Sequence, residues 1–561
     1  MTLDVLRRHP PAGQRQPHYR WRSDLQLAAD RSLARRWQAV PLRQRRPDLA
    51  PLKATTAANP PEEDRLVLNR ATFGPTPEAL AELDGMGATP AERRQSWVEW
   101  QLHPGGIPDG DLSSRLSASG LSTLEKDLPT LWTEHQLVDD FEARMLPILE
   151  TQHAAVLRAT YSRRQLEQVV VDFWHNHFNV YGWHDTAGPV FVHYDRDVIR
   201  THALGNFRDF IEAMSASAAM LLFLDNAFNS ADGPNENFAR ELLELHTLGE
   251  NAYYGAMPAA QVPTGPDGVP KGYVDEDVRE LARCLTGWSL DGDTGEFLFR
   301  GPWHDRGPKR VLGLDVPANL GPMEDVRRIL DRLAVHPATA RHVCYKLCQR
   351  LVADQPPDSL VESAVATFLG RAGAPDQLRQ VVRTILLSDE IAHSWGGKIR
   401  RPFEIIIAAL RGMGADFELP TRVEGTEWFL YLTYATGNLP HDWAPPTGYP
   451  DVRTAWLTTN ALMASWRLVN LVTWYPEGGP TIADPLAATP EHLVTPLELA
   501  DHWIRRLVPR GLSEADRTDI VQFMSQGRSP DLPLDRRDPL VSERIQSLVG
   551  LILLSPEFIW R

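Results

Sequence analysis

Four separated motifs carry side chains of the kind that bind transition metals: His177, His202, Glu241 with His246, and the adjacent His304 and Asp305. Imidazole and carboxylate are ligands for iron, zinc, manganese and copper, and helices that face one another with His and Glu are how di-metal carboxylate bundles are built. This pattern predicts a metal site with His177, His246 and Glu241 as ligands and His202 or His304 completing the shell. Asp305 would orient an imidazole or act as a base. Iron is the expected metal, with copper, manganese and zinc as alternatives, and the expected chemistry is that of a non-haem oxidoreductase. Metal-dependent hydrolysis would use the same ligands. A rival of another class is a non-catalytic scaffold or assembly protein whose polar helices lock a large core, since a histidine on an apolar helix face is more often a satisfied core residue than a ligand.

The element that must position His177 is the segment RQLEQVVVDFWHNHFNV, residues 164–180. Leu166, Val169, Val170, Phe173 and Trp174 fall at the spacing of one buried helical stripe, and His177 is its next member. Asp172 and His175 share the opposite face with Gln165, Gln168 and Asn176, so His177 is the histidine expected to point inward. A second helix, NENFARELLELHTL, brings His246 in line with Ala239, Leu242 and Leu243. Glu241 and Glu244 sit three apart on it, although Glu236, Arg240 and Glu244 also form a ladder that would stabilise a plain surface helix. The strings Glu150 to His153 and Asp172 to His175 match short ligand patterns and read as chance. His336 before Pro337 reads as a helix-entry residue and His342 as a helix-surface residue.

Asp195, Arg196, Asp197 and Arg200, with Lys309 and Arg310, offer a second chemistry, because arginine forks bind carboxylate, sulfate or phosphate. Arg196 and Arg200 are the expected anchors for an anionic or aromatic small-molecule substrate, unless these opposite charges pair with each other. The Gly- and Pro-rich stretch 249–272 and the loop PPTGYPD would cover the mouth of the metal site. The 17 tryptophans could line an aromatic pocket, though Trp is more often plain core. No G-x-S-x-G elbow, P-loop or dinucleotide fingerprint is present.

A hydrophobic content of 43% with 23% charged residues is that of a globular chain and excludes wholesale disorder. The net charge of −15 and the lack of a basic face past residue 61 make nucleic acid an unexpected partner. Arginine crowds the stretch from Arg7 to Arg46, which reads as an arm, 1–61, that packs, stays solvated or recruits a protein partner. That arm has no continuous apolar h-region, and no run approaches the ~20 apolar residues of a membrane span, so a cytoplasmic location is expected. Three cysteines make no disulfide framework; Cys344 and Cys348 read as small buried hydrophobes.

Helical periodicity dominates from residue 62 onward, with one sheet-like stretch around Phe297 and Phe299. The expected fold is mainly α: one large multi-helix domain, 62–561, with long Pro/Gly-rich loops and at most a small β-hairpin. The motifs LNRATFGPTPEAL, VVVDFWHNHFNV, YDRDVIRTHALGNFRDFI, NENFARELLELHTLG, VRELARCLTGWS, HDRGPKRVLG, LAVHPATARHVCYKLCQRLVAD, PPTGYPD and LLSPEFIWR, in this order, resemble the bacterial family catalogued as domain of unknown function 1800. The resemblance covers residues 64–561. It implies a mostly helical fold, members that are often exported, and frequent genomic pairing with a sulfatase-like family; no settled activity comes with it. This chain departs from the family at His175, often Phe there, at Cys344 and Cys348, and in having no evident export signal.

Overall fold

A computed structural model describes residues 61–421, 424–473 and 483–561. The arginine-rich arm lies outside them, as does the short helix its sequence suggests for residues 23–40. Helices dominate, joined by long loops, and the described strands form two two-stranded antiparallel sheets. One hairpin pairs Trp288–Leu290 with Phe297–Phe299, where the alternating phenylalanines predict a strand; the other pairs Lys309–Val311 with Leu314–Val316. No described helix is long and apolar enough to cross a membrane.

Local chemistry fixes most helix starts. Thr76 accepts from the Ala79 amide ahead of Pro77, and Thr89 and Thr495 form reciprocal capping boxes with Glu92 and Glu498. Two long helices expected from periodicity are broken by the same chemistry. The apolar pattern of 131–158 divides because Asp140 caps a new helix, Phe141–Tyr161, and the pattern of 198–215 divides because Asn206 caps Phe207–Ala216. A further helix, Glu424–Ala435, precedes the Pro-rich 439–451 loop.

Three segments wind as π-helix: Trp132–Gln136, Tyr194–Arg200 and Leu242–His246. The last continues the α-helix Glu236–Glu241, so the expected 235–248 helix changes pitch just before His246. The 165–177 helix lies inside the core, with Leu166, Val169, Val170 and Trp174 buried. Its second face is buried as well. The polar side of Gln165–His177 meets ionic partners from other elements instead of solvent, which is why His175, expected on an outward face, is only 6% exposed. Cys284, Cys344 and Cys348 are free and buried, as a packing role requires.

Candidate functional site

His177 and His246 do come together. His177 donates from Nε2 to the His246 carbonyl at 3.1 Å, and His246 donates from Nδ1 to the His177 carbonyl at 3.0 Å. Each carbonyl ends a helical segment and would otherwise lack a partner, so the two imidazoles cap each other's helices. The bonds also fix both tautomers: His177 Nδ1 and His246 Nε2 carry the lone pairs, and both are buried without a hydrogen-bond partner. A third imidazole joins them. His342, on the helix Pro337–Leu351, donates from Nε2 to the Leu245 carbonyl at 3.0 Å and lies 5.8 Å from the His177 ring. Gly249, at φ +90°, is packed against that ring, and a Cβ there would stand 2.6 Å from His342 Nδ1. Burial holds all three imidazoles below the usual histidine range, His246 at about 3 and His342 at about 4, with Lys346 adding a positive charge nearby.

Lys346 follows His342 by one helical turn and Arg350 follows by another, so the three share one stripe. Lys346 and Arg350 of this stripe, with His177 and Phe173, form one wall of a cavity of about 310 Å³. The other wall is the 443–451 loop, through Trp443, Tyr449 and Asp451. Polar residues of the 165–177 helix and its exit hold that loop: Asn176 Oδ1 accepts from the Tyr449 amide at 3.1 Å, and Asn179 donates to the Trp443 and Pro445 carbonyls at 2.9 and 2.7 Å. Gly448 is required at its tip, since a Cβ there would lie 2.0 Å from the Asn176 carbonyl oxygen. Thr447 to Asp451 of PPTGYPD line this cavity, whereas the 249–272 stretch contributes no residue to the lining.

Charge around the cavity is unbalanced. Asp172 is shared by Arg350, at 3.2 Å, and Arg401; Glu404 is shared by Arg350, at 2.6 Å, and Arg401 and Arg561. Asp451 pairs with Lys398 at 2.9 Å. Lys346 has neither a hydrogen bond nor an ion pair among the described residues, and Arg350, 1% exposed, has no acceptor for Nε or Nη1. Burial lowers the Lys346 ammonium to about 8, against the opposing pull of Asp451.

The remaining expected site residues lie elsewhere. His202 donates from Nδ1 to the Val198 carbonyl at 2.8 Å and stacks on Phe210, with the Phe178 and Trp174 rings between it and His177. His304 bonds the Thr286 carbonyl and the Asp325 carboxylate at 2.8 and 3.0 Å. Asp305 is clasped by Arg283 through both oxygens, which holds it below the usual carboxylate range. Glu241 is half-buried with its carboxyl raised by desolvation and by Glu244. Among the described residues no three His, Cys, Asp or Glu side chains gather as a metal-binding group.

Arg196 forks onto Asp197 at 2.8 and 2.7 Å, and Arg200 bonds Asp195 and Gln168, each at 2.8 Å. Opposite charges therefore pair with each other, as their alternation allowed, and neither guanidinium faces the cavity. Asp195 also takes His175 Nε2 at 2.9 Å; burial raises its carboxyl, but Arg200, His175 and Arg158 outweigh this and hold it well below the ordinary value. The reading of His342 as surface is corrected by its contact with His177. The signal that could have found it is the His342, Lys346, Arg350 spacing on a helix whose other positions, Val343, Cys344, Leu347 and Cys348, are already core.

A mainly α domain with a histidine-capped junction and a cationic cavity is thus the class of molecule the geometry defines. The sequence matches the family described as "Protein of unknown function (DUF1800)" over residues 66–560, and the chain belongs to that family. No curated protein and no solved structure matches it.

Proposed function

We propose that the chain is an enzyme that takes a small anionic substrate into the cavity beneath the 443–451 loop. Arg350 and Arg401 hold the anion, and Lys346 and the neutral His177 are the polar groups beside its reacting part. The observation that carries this reading is the surplus of positive charge: Lys346 has no counter-charge of its own, and Arg350 has donors without acceptors. Buried cations require compensation, and a bound carboxylate or oxyanion supplies it. The cavity is in the size range of small-molecule sites, and Phe173, Trp443 and Tyr449 give it apolar walls. Calorimetric titration with carboxylates, phosphate and sulfate tests the reading. Binding of at least one anion, lost in Lys346→Gln at unchanged melting temperature, is expected. Failure of every anion to bind would overturn it.

A second reading, a metal-dependent oxidoreductase or hydrolase, rests on the lone pairs of His177 Nδ1 and His246 Nε2. A metal held there would act as a Lewis acid or redox centre. Among the described residues no three His, Cys, Asp or Glu side chains converge as ordinary iron or zinc sites require, and Lys346 adds repulsion, so this donor set does not fit such a centre and no step is routed through it. Elemental analysis of protein purified without chelator decides the matter: one equivalent of iron, copper, manganese or zinc, lost in His246→Ala, would favour this reading over the first.

A further inference from the structure

We propose that Lys346 is a carbonyl-capturing amine, whose Nζ condenses with the carbonyl carbon of a small oxo acid held by its carboxylate at Arg350 and Arg401. The proposal rests on the anion-binding reading of the cavity. Its own basis is the order of groups along one helix. Arg350 and Lys346 are one turn apart, about 6 Å along the axis, on the stripe that walls the cavity. A carboxylate at the guanidinium therefore places the adjoining carbon within reach of a flexible lysine stem.

Lysines in such surroundings usually pair with a carboxylate and do nothing more. Asp451 is the acid nearest in effect, but its carboxylate is taken by Lys398 at 2.9 Å, and Lys346 has no acceptor among the described residues. Desolvation and neighbouring cations are the two means by which a lysine is made nucleophilic near neutral pH. Desolvation acts here, against the pull of Asp451, and with the ammonium lowered to about 8, ~10% of the amine is unprotonated at pH 7. The neighbouring imidazoles are neutral and cannot pair with the ammonium as counter-ions.

The step balances without a redox partner. The Nζ lone pair forms the C–N bond, the carbonyl π pair moves to oxygen, and the two amine protons leave with that oxygen as water when the C–O bond breaks and the C=N bond forms. The aromatic wall of Phe173, Trp443 and Tyr449 favours an oxo acid with an apolar or aromatic tail.

The test uses the full chain with pyruvate and phenylpyruvate as probes, trapped with cyanoborohydride and read by intact mass and peptide mapping. One adduct per chain at Lys346, formed at least tenfold faster than at any other lysine, is expected, with phenylpyruvate reacting at lower concentration than pyruvate. Lys346→Arg, which retains the charge, should lose the adduct yet still bind phenylacetate in the calorimeter. An adduct spread over several lysines, or one undiminished in Lys346→Arg, would overturn the proposal. If phenylacetate binds and no adduct forms, the anion site stands and the amine chemistry falls; if neither occurs, both fall.

Discussion

Lys309 is buried and Lys346 is half-buried at the cavity wall, and their surroundings differ in a further respect. Lys309 has the Asp325 carboxylate at 3.1 Å, the Gly307 carbonyl at 3.2 Å and the Asp305 carbonyl; Asp325 also takes His304, while Arg283 closes on Asp305. Every charge in that cluster beside the second hairpin has its complement. The cluster around Lys346 has donors left over. A buried polar group must be paired or bound to something, so the saturated cluster accounts for itself as structure and the unsaturated one points to a ligand. The residues singled out for chemistry are separated by this difference where they fall in either cluster: His304 and Asp305 belong to the first, His177 and His246 to the second.

The comparison is most directly broken at Asp325. Asp325→Ala strips Lys309 and His304 of a shared carboxylate and should cost about 3–5 kcal/mol, read as a fall in the urea midpoint. A loss below about 1 kcal/mol would mean that the cluster is not holding the hairpin. Gly249→Ala comes next. It forces a Cβ toward His342 at a left-handed φ, and about 2 kcal/mol of destabilisation is expected, together with weaker anion binding. Unchanged binding would separate the histidine junction from the cavity.

Acid should act by a smaller slope. His246, His342 and His153 are held neutral in the fold at about 3, 4 and 4, while unfolded histidine titrates near 6.5. Below that point the unfolded chain binds protons that the folded chain refuses, so stability is full above pH ~6.5 and falls as pH drops toward 4. The slope is up to about 1.4 kcal/mol per pH unit for each such group. His153 lies outside the cavity, donating from Nδ1 to the Leu419 carbonyl at 2.7 Å, so His153→Gln should remove one share of the slope and leave anion affinity intact. The smallest stability change belongs to Lys346→Met: within about 1 kcal/mol of the parent, or more stable, because it removes a charge that lacks a partner. A loss above 2 kcal/mol would place Lys346 with Lys309 as a structural cation.

The sequence made the mainly α fold legible because apolar stripes at helical spacing persist through most of the chain. It made the meeting of His177 and His246 legible for the same reason: each continues such a stripe. What periodicity could not show is which polar face is also buried. Asp172 and His175 share the helix face opposite Val169 and Val170, and nothing local distinguishes a face turned to water from one turned to Arg350, Arg401 and Asp195. His342 was hidden by that ambiguity, and so was Lys346. The breaks at Asp140 and Asn206 were hidden differently, since apolar spacing continues across both and only the capping side chains reveal the change of direction.

The π-wound turn Leu242–His246 gives the histidine junction an unusual heritable tolerance. It holds one residue more than ordinary winding, and losing that residue would close it as α-helix with His246 still turned toward His177, because four α residues sweep about the same angle, roughly 400°, as five π-wound ones. The fragility lies one turn earlier: a single in-frame codon loss within the α-wound Glu236–Glu241 would rotate His246 by about 100° and dissolve the pairing. Family members that have lost one residue there would form a natural experiment on whether the histidine pair is needed.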